Sequence, residues 1–305
     1  MPWLITGASG QLGGALLKLL ATKEPRQDTV TCIARSWQKI HSYDIRALDL
    51  AVPGNLRLLL ESVRPSKIIH LASVARPDLA EANPEIGQAI DVEATRIIAE
   101  YCQAEHAWMF FASSDFVHPG RPEGLYGDHE DARPICVYGR QKAAGEEIVL
   151  SKQAGAVGRL AMMYGQVLHG RPGGWTAVAE KLKSGEDVYG LTDELRSPIS
   201  FQQAARAILC LAEDRFIGQI NIGGRSTVSP FELMCVIARS ASSKSRVVEI
   251  SQKEYAQKMR RPKNVSLDSS RLRAHFGNVI YQGGCLSDPV VNQSQVRPDT
   301  VGRTS

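Results

Sequence analysis

The chain has 305 residues, 43% of them hydrophobic and 22% charged, with a formal net charge of +4. This is ordinary globular composition, sufficient for one large domain and a smaller one. The charge is small and no block of five like charges occurs, so nothing marks a nucleic-acid face.

No apolar run approaches ~18 residues, so no membrane span is expected. MPWLITGASG lacks a basic region followed by a long apolar run, so no signal peptide is expected either. Cys32, Cys102, Cys136, Cys210, Cys235 and Cys285 are scattered without a C-x-x-C pair. In a chain of this length they read as reduced residues of a cytoplasmic protein.

In chain order, WLIT (3–6) is a short apolar strand. Residues 11–21 then place Leu12, Ala15, Leu16, Leu19 and Leu20 on a helical stripe. TVTCIA (29–34) is β-branched, and KIIHLA (67–72) is a second buried strand. Residues 85–105 read as one long helix, with Ile86, Ile90, Ala94, Ile97 and Ile98 on one side. WMFFAS (108–113) is another strand, a helix carrying Tyr138 and Lys142 follows, and VGRLAMMYG (157–165) is strand-like again. Strands apolar on both faces, alternating with helices, predict an α/β fold: a doubly wound, Rossmann-type parallel sheet covered on two sides.

After Gly165 the pattern loosens. GRPGGW (170–175) is loop-like, SFQQAARAILCLAE (200–213) is a helix and QINIGG (219–224) a strand. The expected division is a dinucleotide-binding domain over 1–165, with 192–224 returning to it. A smaller α/β substrate lobe takes 166–191 and 225–285. Residues 286–305 are polar and are expected to be mobile or wrapped on the surface.

GASGQLG (7–13) follows the first strand and opens the first helix. Gly7 suits the tight turn, Gly10 lets a pyrophosphate approach the backbone, and Gly13 lets helix and strand pack closely. The helix N-terminus offers free N–H groups and a partial positive charge to phosphates. Gly7, Ser9, Gly10, Gln11, Leu12 and Gly13 are therefore candidate cofactor contacts. The second strand ends in Arg35, with no Asp or Glu from Thr29 to Ser36. A cation there suits a 2′-phosphate and favours NADP(H) over NAD; the alternative is a solvated arginine.

VYGRQKAAGE (137–146) places Tyr138 and Lys142 one helical turn apart, on one face. Those ten residues alone leave an exposed turn and a proton-transfer pair both open. Beside a dinucleotide loop the second is favoured. A lysine ammonium is expected to lower the pKa of the phenol, and Ser114, at the end of the third strand, to orient a substrate carbonyl.

GASGQLG, HLAS (70–73), SSDFV (113–117) and YGRQK (138–142) together resemble the extended branch of the short-chain dehydrogenase/reductase superfamily. SSDFVHPG, the AAGE after Lys142, RSPIS (196–200) and RPKNVSLDSSRL (261–272) resemble its dTDP-4-dehydrorhamnose reductase-like subfamily. The resemblance spans Leu4 to about Gly277. It implies that Tyr138 is the acid, that Lys142 holds the nicotinamide ribose and tunes Tyr138, and that Ser114 orients the carbonyl. It implies that Asp49 and Leu50 border the adenine and that Ala72 and Ser73 line the cofactor crevice. The substrate it implies is a 4-keto-6-deoxy nucleotide sugar, with Arg261 as a substrate contact and a homodimer as the assembly; the sequence shows no metal-ligand cluster.

Three departures bear on the substrate. Ser114 stands where the subfamily often has Thr, His118 where it often has Phe, and Asp91 where Asn is usual. Asp115 is followed by Phe116, so the second acid of a dehydratase is missing. Two alternatives remain: a nucleotide-sugar epimerase, and a non-catalytic dinucleotide-binding subunit resembling the methionine adenosyltransferase β subunit.

Overall fold

The computed structural model describes residues 1–22, 29–74, 76–165, 175–240, 245–255 and 259–281. The expected tail over 286–305 and most of the 170–175 loop lie outside them. β1 (Trp3–Thr6) leads through the glycine loop into α1 (Gln11–Ala21). Then come β2 (Val30–Ala34), β3 (Gln38–Ile40), β4 (Tyr43–Ala47), α2 (Pro53–Val63), β5 (Lys67–His70) and α3 (Pro77–Ala82). A long helical stretch precedes β6 (Trp108–Ser114), α6 (Val137–Ser151), β7 (Gly155–Leu160) and β8 (Met163–Tyr164). The remainder comprises α7 (Trp175–Ser184), β9 (Val188–Leu191), β10 (Ile199–Ser200), α8 (Phe201–Glu213), β11 (Gly218–Ile222), α9 (Pro230–Ser240), β12 (Val247–Ile250) and α10 (Ser270–Ile280).

The main sheet has the order β11-β7-β6-β5-β1-β2-β4-β3. Every pairing in it is parallel except β3 with β4. The chain leaves β1 for β2 on one side and later returns to β5 on the other. The crevice between the ends of β1 and β5 is therefore the switch point where such sheets bind ligands.

Consecutive residues of a strand face opposite sides of the sheet. Ile5 and Phe110 join Leu16, Ala204 and Ile208 on one face. Leu4, Met109 and Phe111 join Leu56, Ile98 and Val149 on the other. Two covered faces explain the unbroken apolar runs, and each full burial of such a side chain contributes about 1.5–3 kcal/mol. A smaller sheet pairs β9 with β12 in parallel. It is covered by α7 and α9 through Leu182, Val188, Met234 and Ala238.

The long helix differs from the expected form. α4 (Pro84–Gly87) passes into a π-helical stretch, Gln88–Glu93, before α5 (Ala94–Ala104) resumes the α-helical pitch. Such a widened turn re-aims the side chains it carries, and Asp91 is one of them.

Candidate active site

Two glycines of the loop answer to the protein's own packing. Gly7 has φ +64°, and a Cβ on it would lie 2.5 Å from the Ala72 nitrogen. A Cβ on Gly13 would lie 2.6 Å from the Ala8 carbonyl oxygen. Gly10 is different: a Cβ there meets only the Gly7 carbonyl oxygen, at 3.3 Å. Gly10 is the N-cap of α1 and is exposed, so its bareness opens the helix N-terminus outward. Ser9 and Gln11 lie partly exposed beside it, and Leu12 points into the core.

Arg35 and Asp49 line one pocket of about 680 Å³, with Leu48, Asn55, Leu58 and Leu59. Asp49 Oδ1 accepts from the Ala51 amide at 2.9 Å, which fixes the turn after β4. Leu50 is buried and belongs to the core beneath that turn. Ala72 and Ser73 continue β5 past the glycine loop. The Ala72 amide donates to Thr6 Oγ1 at 3.2 Å, and the buried Ser73 hydroxyl has no partner.

Ser114 closes β6, and Tyr138 and Lys142 lie on the first turns of α6. The amide of Val137 donates to Glu81 Oε1 at 2.8 Å and that of Gly139 to Cys136 Sγ at 3.4 Å, which anchors the helix start. Ser114 Oγ accepts from the Phe116 amide at 3.2 Å and donates to Asp115 Oδ1 at 3.1 Å. It also makes a side-chain hydrogen bond with Tyr138. Lys142 Nζ donates to Asp91 Oδ1 at 2.8 Å and to the Ala112 carbonyl at 2.7 Å, with both charged side chains buried.

The structure corrects the expected tuning of Tyr138. Its phenol is pushed well above its ordinary value, first by desolvation and then by the Asp91 carboxylate, with the Ser114 hydrogen bond opposing. The Asp91 contribution, second to desolvation, follows from its contact with Lys142: a carboxylate against the ammonium offsets its pull on the phenol. Asp91 also joins this group to the glycine loop, because its Oδ2 accepts from the Val74 amide at 3.4 Å, just past Ala72 and Ser73.

Arg261 does not stand free. Its Nε and Nη2 donate to Glu194 at 2.8 and 3.1 Å, and Glu194 also accepts from Arg196 Nη2 at 2.7 Å. Against its burial, Arg196 and Arg261 hold the Glu194 carboxyl below the usual carboxylate range. Phe116 packs under both guanidinium groups, at 4.2 and 5.5 Å. Beyond this layer, Arg261 lines a pocket of about 810 Å³ with Arg121, Lys253, Arg260, Lys263 and Asn264.

Sequence reasoning noted Asp91 only as a departure and Arg196 only as part of RSPIS. Lys142 lies 51 positions from Asp91 and Asp115 lies 81 positions from Arg196, so neither contact left a local signal in the sequence.

A doubly wound parallel sheet, a glycine loop at its switch point and Ser114, Tyr138 and Lys142 at the adjoining strand end define a short-chain dehydrogenase/reductase-like protein. The RmlD substrate binding domain family matches residues 1–282, and the chain belongs to that family. A solved structure of a hypothetical dTDP-4-dehydrorhamnose reductase from Sulfolobus tokodaii is 31% identical, with a TM-score of 0.76 over 90% of this chain and 94% of that one. A dTDP-4-dehydrorhamnose reductase from Bacillus anthracis, solved in complex with NADP, is 25% identical, with a TM-score of 0.76 over 90% and 92%. The methionine adenosyltransferase 2 subunit beta of Mus musculus is 29% identical over 88% of this chain and 80% of its own.

Proposed function

We propose that the protein is an NADPH-dependent reductase acting at C4 of a 4-keto-6-deoxy sugar carried on a nucleoside diphosphate. The observation that carries this reading is the gathering of Ser114, Tyr138 and Lys142 beside the glycine loop, linked to it through Asp91 and the chain after β5. The fit to a dinucleotide rests on three features: the outward opening at Gly10, the partnerless Ser73 hydroxyl in the crevice, and the pocket shared by Arg35 and Asp49. The NADP held by the Bacillus anthracis relative supports the same choice.

Bound NADPH would supply a hydride to the carbonyl carbon. Tyr138 gives its phenolic proton to the carbonyl oxygen as charge develops there, and the Ser114 hydroxyl, turning from Asp115 Oδ1, donates its one hydrogen bond to the same oxygen. The proton is on the Tyr138 phenol at neutral pH, as a donor requires. An ammonium has three N–H donors. Two of those of Lys142 go to Asp91 and Ala112, and the third is assigned to a nicotinamide ribose hydroxyl. Arg260, Arg261 and Lys263 line the second pocket, and its cations suit a diphosphate.

The test is NADPH oxidation with a panel of 4-keto nucleotide sugars, together with thermal protection by dTDP and UDP. Turnover of at least one sugar and protection by its nucleotide are expected. No turnover and no protection by either nucleotide would sink the reading. A second reading, a non-catalytic dinucleotide-binding subunit, is favoured by the 29% identity to the methionine adenosyltransferase subunit. Stable capture of a partner without any turnover would put it first.

A further inference from the structure

The Lys142 ammonium and the Asp91 carboxylate form an ion pair at 2.8 Å, with side-chain exposures of 2% and 0%. Every feature around it holds the pair in place. The π-helical stretch aims Asp91 at α6, and Thr95 Oγ1 donates to the Asp91 carbonyl at 2.9 Å. The Val74 amide reaches Oδ2, and the Ala112 carbonyl takes a second donor of Lys142. Lys142 Nζ sits 5.8 Å from the centre of the Tyr138 ring. A lone ammonium at that separation in a buried site would pull strongly toward tyrosinate; a neutral pair does not.

The other ionisable groups around the pair have partners of their own or are neutral. From β5, His70 is buried with its pKa lowered to about 4, chiefly by desolvation, so it is uncharged at neutral pH. After β6, Asp115 is tied to Arg196 at 2.9 Å. From α3, Glu81 is bound to the Val137 amide. Under α6, Glu146 and Arg159 pair with each other at 2.7 Å. At the N-cap of α6, burial keeps Cys136 a thiol. Asp91 is thus the one carboxylate in contact with the Lys142 ammonium among the described residues.

We propose that Asp91 is a positioning residue that cancels the charge of Lys142 beside Tyr138 and so keeps the proton on the Tyr138 phenol. Its meaning for catalysis rests on the reductase reading; the ionisation itself does not. The uncharged amide that Asn would place here leaves the ammonium unopposed, so the two side chains give the same three-residue group different working ranges.

The test is a charge cycle: wild type, Asp91→Asn, Lys142→Met and the double variant. Each is titrated with alkali by tyrosinate absorbance and compared with the same protein carrying Tyr138→Phe, which isolates this one phenol. Asp91→Asn is expected to bring the Tyr138 midpoint down by about one unit or more, a tenfold or larger change in its ionisation constant. The double variant, with neither charge, should titrate close to wild type, and Lys142→Met should not fall below it. If Asp91→Asn does not fold, Lys142→Met against the double variant isolates the same carboxylate. An unchanged midpoint on removal of Asp91 in either background overturns the proposal. Under turnover, the alkaline limb of kcat/KM in Asp91→Asn should move down by the same amount. A shifted titration without turnover of any nucleotide sugar leaves this inference standing and removes the reductase reading; turnover with an unshifted titration does the reverse.

Discussion

Arg196 Nη1 lies 2.9 Å from Asp115 Oδ2, so the loop after β9 reaches the carboxylate that immediately follows Ser114. Both side chains are almost fully buried. Glu194 takes the other end of the same guanidinium and passes the chain of charges to Arg261. One arginine therefore couples the strand end that carries Ser114 to the loop beside the second pocket. Desolvation raises the pKa of Asp115, and Arg196 opposes that rise.

Arg196→Met is expected to destabilise the protein by about 3–5 kcal/mol, because it leaves two buried carboxylates without their shared cation. Arg196→Lys should recover only part of the loss, since a single ammonium does not reproduce the fork that spans Asp115 and Glu194. Denaturant unfolding of the three proteins measures this. Equal stability of Arg196→Met and wild type would show that the network contributes nothing net.

Tyr138→Phe should leave NADPH binding nearly unchanged and abolish turnover. The phenolic proton is needed only as charge reaches the carbonyl oxygen, so its loss lowers kcat rather than cofactor affinity. Fluorescence titration and steady-state rates separate the two effects. Wild-type reduction by Tyr138→Phe would assign the acid to another group.

Arg35→Ala should cost NADPH roughly 1.5–3 kcal/mol of binding, about ten- to a hundredfold in affinity, and leave NADH little changed. Arg35 is exposed on the wall of its pocket, which a 2′-phosphate can reach without rearrangement of the core. Titration of both cofactors against both proteins decides it. A preference that survives the substitution would take Arg35 out of this role.

Stability should fall between pH 7 and pH 5 through two buried histidines. His118 is lowered to about 3 and His70 to about 4, each chiefly by desolvation, from an ordinary 6.5. Both bind protons more readily unfolded than folded. Their contribution is present above 6.5 and is lost as pH falls toward the folded values, about 2 kcal/mol each by pH 5. His118 stacks on Tyr126 at 3.9 Å with neither ring nitrogen hydrogen-bonded. His118→Phe should therefore remove about half of the pH dependence while keeping stability at pH 7. Unfolding free energies at the two pH values test this, and an undiminished slope in His118→Phe would contradict it.

What the sequence by itself determined is what depends on neighbours along the chain. The glycine loop, its strand and its helix are legible because turn, strand and helix preferences act over a few residues. The doubly wound sheet follows from strands such as WMFFAS, whose two faces are both covered. The four-residue spacing places Tyr138 and Lys142 on one helical face. β3 and β4 are less legible because QKI forms the sheet edge, YDIRA lies next to it, and both mix polar with apolar residues without a long buried run. The widened turn at 88–93 escaped because its composition is that of any helix. Tertiary structure alone decided the charges. Asp91 meets Lys142 across 51 positions and Arg196 meets Asp115 across 81. The Tyr138 phenol is raised rather than lowered because it is desolvated and because Asp91 stands against Lys142. Whether a buried cation lowers a neighbour's pKa depends on which anion the fold places against it, and no spacing within one helix carries that information.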